Sequence, residues 1–269
     1  MLTIFRIVLS SVYFWSGLQK LNIHFAIEVF PWFFNFIGVE SYLDKHHLLA
    51  YIAALLETSA GICLWVRPLR KPACLFIITT HLLVLISLGP LSHNWNSIVW
   101  PWNILFAWML FELFYRTEPK NLFPLKIKSS GFNRYHLSSI LLLATIMPGF
   151  GLVGNWDHFL SDGFYSAMPD EPAFYLPISE AGKLPALSED YQYIYPDENE
   201  VVLRFSYWSV DEMNVPVYPQ DWVYKEVARK LSGLVKDYDS TGLRITQKYR
   251  WKEKEREKEW TYRELTDKH

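Results

Sequence analysis

The stretch "YFWSGLQKLN", Tyr13 to Asn22, ends an apolar run with Ser16, Gln19 and Lys20 on one side of the helix it implies. A lysine there has two uses. An amine forced into apolar surroundings can serve as a general base, because desolvation disfavours its charged form. Alternatively its stem lies along the helix and the ammonium snorkels into the headgroups. Glu57 and His81 each fall near the middle of a later apolar run. A lone charge at the bilayer centre costs on the order of 2.5 to 3.5 kcal/mol, so such residues turn inward and find partners. A Glu57–His81 pair at matching depth would lower that cost and relay protons behind Lys20. The other reading is a protonated Glu57 that bonds a neighbouring helix as packing glue. Lys20, Glu57 and His81 are the candidate catalytic residues.

The densest motif is "HNWNSIVWPWN", His93 to Asn103. The amides of Asn94, Asn96 and Asn103 donate and accept, which suits fixing a loop or holding a carbonyl-bearing ligand. Trp95, Trp100 and Trp102 also suit an interfacial aromatic belt. With Ser16 and Gln19, the residues His93, Asn94, Trp95, Asn96, Trp100 and Asn103 make up the candidate ligand-binding set. Together they predict a polar cavity with Lys20 at its outer mouth and Glu57 and His81 at its deeper end. His24, His46, His47 and His93 share the predicted outer side but lack metal-ligand spacing, so no metal is assigned.

The elements that must position these residues are membrane helices. The 269-residue chain is 51% hydrophobic and 17% aromatic, too aromatic for an ordinary cytosolic enzyme. Its neutral average hydropathy hides an apolar half up to about Gly154 and a polar half after it. Five runs have the roughly 17 to 25 residues a membrane helix needs: Thr3–Leu21, Leu48–Val66, Ala73–Leu88, Ile98–Tyr115 and His136–Val153. The first has no small-residue cleavage site and is expected to stay as a signal anchor. "IHFAIEVFPWFFNFIGVE", interrupted by Glu28, Pro31, Asn35 and Gly38, reads as interfacial or re-entrant. Arg67, Arg70 and Lys71 in one loop, and Arg116, Lys120, Lys126, Lys128 and Arg134 in another, place both loops in the cytoplasm. The N-terminus is then cytoplasmic, and everything after Gly154 is extracytoplasmic.

The expected organisation is an all-α polytopic membrane bundle over residues 1–153 and a small α+β extracytoplasmic domain over 154–269. In the latter, "MPDEPAFYLPISEAGKLP" reads as a proline-punctuated loop and "EVVLRFSYWSV" as a strand. "PQDWVYKEVARKLSGLV" reads as an amphipathic helix with Trp222, Val223, Val227, Leu231 and Leu234 on its apolar stripe. The tail from Gly242 is dense enough in Glu and Lys for a helix, while alternation in "LRITQKYR" favours strands before Trp251 and the Trp251–Trp260 pair a hairpin. The net charge of -2 and the lack of a basic binding motif set nucleic acid aside. Cys63 and Cys74, both inside apolar runs, argue against thiol-redox chemistry.

"YFWSGLQKLN", "ALLETSAGICLWVRPLRKPA" and "HNWNSIVWPWN" resemble the DoxX-like and MauE-like group of small membrane proteins over about residues 1–116. The resemblance implies a four-helix core, to which a fifth span is added here. The G-x-x-K-L element, with Gly17 and Lys20, is also similar to the horizontally transferred transmembrane (HTTM) domain shared with vitamin K-dependent gamma-carboxylases, in which a lysine is the proposed base. Glu57 matches the acidic position of the DoxX-like group. "GNWDHFLSDGFYSAMP" resembles the connection to an outer domain in the longer carboxylase-like members. The chain is much shorter than a carboxylase and has no evident peptide-binding module. The DoxX-like resemblance implies a quinone-linked setting, often as an accessory subunit.

Three readings follow. One is a ligand-binding or accessory membrane subunit that holds a quinone or other isoprenoid lipid, in contact with membrane lipid and a membrane or extracytoplasmic protein partner. Another is an intramembrane carboxylase-like or quinone-linked enzyme with Lys20 as base. The third is a structural subunit without a ligand. Proton-coupled transport ranks last, because five spans without inverted repeats do not suit it.

Overall fold

The apolar runs of the first half fold as helices, which satisfy nearly all of their backbone groups within the run itself. The computed structural model describes residues 2–117, 134–183 and 192–266, in two units, Met1–Ala167 and Met168–His269. In the first unit α1 (Leu2–Gln19) leads through a π-helical turn to α2 (Phe30–Phe33) and α3 (Glu40–Leu43). Then come α4 (Leu48–Cys63), α5 (Arg70–Leu88) and α6 (Val99–Leu110), the last widening into a π-helix over Phe111–Arg116. α7 (Arg134–Thr145) continues as a 3-10 helix over Met147–Val153. The segment after α1, read as interfacial or re-entrant, is a series of short helical turns. It is punctuated at Gly38, whose φ of 72° explains the glycine.

This unit has an apolar core around Leu9, Leu64, Ile77, Leu110 and Phe114, but its outer surface is apolar too and several polar side chains are buried beside that core. Leu48, Leu55, Leu82, Ile104 and Trp108 are exposed, while Ser10, Ser16, Gln19, Thr58 and Asn103 are buried. An exposed apolar belt of this kind is the surface of a protein that meets something other than water. Among the described residues one helix, Arg70–Leu88, is long and apolar enough to cross a membrane by length and composition. Leu48–Cys63 and Ser138–Val153 are apolar but shorter. α1 carries Arg6, Ser10, Ser16 and Gln19, and the fifth expected span changes helix type at Ile146, next to Pro148. The basic loop expected between the fourth and fifth spans lies, over 118–133, outside the described residues.

α1 and α4 approach closely through small residues. A Cβ added to Gly17 would overlap Thr58 and stand 2.6 Å from the Ala54 carbonyl oxygen. One added to Gly61 would stand 2.7 Å from Phe14 N and 2.8 Å from Ser10 O. Ala50, Ala54, Thr58 and Gly61 thus make a small-residue stripe that lets two backbones meet. α7 docks on the same α1. Pro148 has no N–H to donate, so carbonyls near it lack a helical partner. Trp15 Nε1 donates to Thr145 O at 3.1 Å and Gln19 Nε2 to Pro148 O at 3.3 Å.

The second unit is a five-stranded antiparallel sheet in the order β2-β3-β1-β4-β5, comprising β1 (Glu171–Pro177), β2 (Gln192–Tyr195), β3 (Glu200–Arg204), β4 (Gly242–Tyr249) and β5 (Lys252–Thr261). α8 (Phe205–Met213) and α9 (Asp221–Ser232) contribute to its core, and α10 (Tyr262–Thr266) follows β5. Phe174, Leu176, Leu203, Leu243 and Ile245 line the buried sheet face and meet Tyr224 and Leu231. Gly242 pairs with Tyr175, whose ring fills the space a Cβ would take.

Several sequence expectations change here. The proline-punctuated loop contains β1, the central strand: Pro172 and Pro177 sit at its two ends, where a missing N–H is tolerated, and Phe174 and Leu176 alternate inward. "EVVLRFSYWSV" is a strand only to Arg204. From Phe205 it is helix, closed by Asn214 in the left-handed region at φ 52°. The buried stripe of α9 runs through Tyr224, Ala228 and Leu231, leaving Trp222 and Leu234 exposed. The tail is the β4–β5 hairpin.

Replacing Gly17 with leucine is expected to force α1 off α4 and destabilise the chain by about 2 kcal/mol or more. Thermal unfolding in detergent would register this as a lowered Tm. Gly182→Ala, where an added methyl meets nothing within 4 Å, serves as the unchanged control.

Candidate functional site

Lys20 lies three residues beyond Gly17 and Glu57 one residue before Thr58, so the α1–α4 contact brings the two together. Lys20 Nζ donates to Glu57 Oε1 at 2.8 Å, Glu57 Oε2 at 2.7 Å and Ser16 Oγ at 3.0 Å. The two side chains keep only 16% and 17% of their exposure, so water screens the pair weakly. The expected partner of Glu57, His81, is engaged elsewhere. The four-carbon lysine stem reaches across the helix contact, and Glu57 meets α1 before it meets α5.

His81 belongs to a second polar chain. Its Nδ1 lies 2.7 Å from Asn103 Oδ1 and its Nε2 lies 2.8 Å from the Tyr13 hydroxyl. Asn103 Nδ2 donates to Val99 O at 2.8 Å, which fixes the amide orientation and makes Oδ1 the acceptor. The ring hydrogen therefore sits on Nδ1, and the Tyr13 hydroxyl donates to Nε2. Glu57 is within electrostatic reach of both Tyr13 and His81, and Lys20 of His81, so the two polar groups are neighbours.

A third contribution comes from the loop after α7. Asp162, at φ 58°, is half-buried, donates its backbone N–H to Phe159 O at 3.1 Å and has its carboxyl within electrostatic reach of Lys20. Burial pushes its carboxyl up to about 7, with the Lys20 charge opposing the shift. The loop is tied down by Asn22. Its amide donates to Gln19 O at 2.9 Å and Ser166 O at 2.8 Å and accepts from Phe25 N at 2.8 Å.

The other candidate residues are placed as follows. Ser16 joins the Lys20–Glu57 pair, and Gln19 is turned to the α7 break. His93 stacks on Trp32 at 4.1 Å, its Nε2 2.9 Å from Trp32 O. Asn94 and Asn96 take left-handed backbone at φ 48° and 52°. Asn96 also donates to the Tyr165 hydroxyl at 2.9 Å, and Trp95 packs edge-on to Trp32. Trp100 Nε1 donates to Leu88 O at 3.1 Å. The His93–Trp100 stretch therefore folds the α5–α6 turn onto the segment after α1, while Asn103 alone of that motif reaches His81. Of the four histidines weighed as metal ligands, His24 bonds Glu28, His46 stacks on Tyr42 and His93 on Trp32. No group of three metal-binding side chains forms among the described residues. Nothing in the sequence pattern marks Asp162. Tyr13 carries a signal, since it shares the helix face of Gly17 and Lys20 at i, i+4 and i+7.

Residues 1–89 match the DoxX family model, which supports a DoxX-like relationship for this part of the chain and indicates a membrane protein. No curated protein and no solved structure matches the chain.

Two outcomes follow from the site. Lys20→Met or Glu57→Gln leaves a poorly hydrated charge without its partner and is expected to cost about 2 to 4 kcal/mol, whereas the double variant regains most of it. Additive losses in a double-mutant cycle would rule the coupling out. The folded-state carboxyl of Asp162 titrates above the ordinary 3.8, so its contribution to stability is complete below about pH 4 and is lost as pH rises toward 7. Asp162→Asn should therefore flatten the stability profile between pH 4 and 7 and be more stable than the wild type at pH 8. Parallel profiles for the two proteins would contradict this.

Proposed function

We propose that the chain is a multi-pass membrane protein acting as a ligand-binding or accessory subunit, with a quinone or other isoprenoid lipid held at the Lys20–Glu57 site. The observation that carries this reading is the convergence of polar groups from α1, α4, α5 and α6 inside a unit whose outside is apolar. A carbonyl oxygen would take a donor of Lys20 or Asn103 in exchange for one of its present partners, and the apolar exterior of the unit suits an isoprenoid tail. On the five-span arrangement, with its DoxX-like four-helix core, the N-terminus is cytoplasmic and the second unit is extracytoplasmic, where it would engage a protein partner. His93, Asn94, Trp95, Asn96 and Trp100 then shape the mouth of the site.

The enzymatic alternative uses Lys20 as the base, Glu57 and His81 as proton carriers, and the HTTM resemblance as its precedent. It is the weaker reading. Lys20 donates to both oxygens of Glu57, and removing its proton would strand a poorly hydrated carboxylate. The same closed hydrogen bonding also favours a purely structural tie between α1 and α4 as the competing account.

Native mass spectrometry with lipid extraction, applied to the wild type, Lys20→Met and Glu57→Gln in mild detergent, separates these readings. The expected result is a stoichiometric quinone or isoprenoid lipid in the wild type that is lost from both folded variants. An empty wild type, with the variants merely less stable, would leave the pair as a structural tie.

A further inference from the structure

At the other end of α1, 14 residues before Lys20, lies a second concentration of charge. Arg6 is 7% exposed and Arg70 4% exposed, each nearly as buried as the apolar side chains around it. Arg6 Nε donates to Leu113 O at 2.8 Å and Arg70 Nε to Leu64 O at 3.0 Å. In both, Nη2 is buried with no hydrogen-bond partner among the described residues. The two guanidinium groups are close enough to repel one another. Glu112, the acidic side chain of the adjoining π-helix, is bonded to Arg116.

Arg70 also lines a cavity of about 100 Å³, whose other walls are Arg67, Pro68, Lys71 and Phe114. Arg67 and Lys71 are exposed, while Phe114 is buried. The cavity sits at the start of α5, a 19-residue helix whose N-terminal dipole adds to the positive potential. Two buried arginines with unused donors, two exposed cations at the rim and an apolar wall leave the site, among the described residues, short of negative charge. A guanidinium with a free donor edge is suited to phosphate oxygens, which accept several charge-assisted bonds at once.

We infer that the Arg67–Arg70–Lys71 cavity, backed by Arg6, is a binding site for a phosphate group, carried by an anionic lipid headgroup or present as free phosphate. Arg70 supplies the buried donor, Arg67 and Lys71 draw the anion in, and Phe114 shields one side from water. Arg6 acts through its field and is a positioning residue. Basic pockets between membrane helices take phosphorylated headgroups on the same grounds. This site is separate from the Lys20–Glu57 site and stands whether or not a quinone binds there.

The test is a titration of the full chain in detergent with phosphatidylglycerol and, separately, phosphatidylcholine, followed by native mass spectrometry. One phosphatidylglycerol is expected to bind at least about tenfold more tightly than phosphatidylcholine. Removing both rim charges in Arg67→Gln/Lys71→Gln, whose side chains are exposed, should weaken it by about fivefold per charge while an unchanged Tm reports that the variant is folded. Arg70→Lys keeps the charge but loses the planar fork and should fall between the two. Displacement of the lipid by millimolar inorganic phosphate, with a rise in Tm, would identify free phosphate as the ligand. Tight lipid binding that phosphate does not displace would identify the headgroup. Equal affinity for the two lipids with no phosphate effect on Tm would overturn the proposal, as would unchanged phosphatidylglycerol binding in the rim variant.

Discussion

The close approach of α1 and α4 at Gly17 and Gly61 is the constraint on which the helical unit depends. Because no side chain separates the backbones there, Lys20 and Glu57 meet across the contact and Ser16 completes the triad. Tyr13, on the same face of α1, is directed toward α5 and meets His81. One pair of glycines therefore sets the spacing of two polar groups. Shape selectivity comes first and electrostatics acts within it, since an ion pair this poorly hydrated is worth little unless its geometry is held.

A second regularity concerns backbone carbonyls at the places where helices break. Thr145 and Pro148 are served by Trp15 and Gln19, and Gln19 in turn by Asn22. Leu64 and Leu113 are served by arginines, Phe33 by Ser87, Trp32 by His93 and Leu88 by Trp100. In a unit with an apolar exterior, water cannot satisfy these groups, so side chains must. Arg6, Trp15, Gln19, Arg70, Ser87, His93 and Trp100 are all engaged in this way. The same need explains why several residues suited by type to hold a ligand instead hold the fold.

How much of this was legible in the sequence depends on the kind of feature. Helical runs and the Ser16–Lys20 face follow from periodicity alone. The partner of Glu57 does not, because matching residues by depth treats them as points, whereas a lysine stem extends over most of a turn. Pro172 and Pro177 made the central strand read as a loop, although both stand where a strand can lose a donor. Aromatic and β-branched residues after Arg204 suggested more strand, and the helix there is signalled mainly by Asn214 at its end. Tyr224 is buried in the core while Trp222 is exposed, the reverse of their order in hydrophobicity. Asp162 is placed by a loop whose left-handed residues, Asp162, Tyr165 and Ala167, have no pattern that spacing could reveal.

The last strand has a consequence for how far the sheet can grow. β5 lies at one edge, where a row of unpaired N–H and C=O groups would ordinarily recruit another strand. Its Arg256, Glu257, Lys258 and Glu259 alternate in sign, so an incoming strand would have to strip water from cations and anions in turn. At the opposite edge β2, among the described residues, is four residues long, a short template for holding a visitor in register. The sheet thus ends itself on both sides, one edge guarded by hydration and the other by brevity. Strand addition from a second copy or a passing unfolded chain is discouraged at either edge.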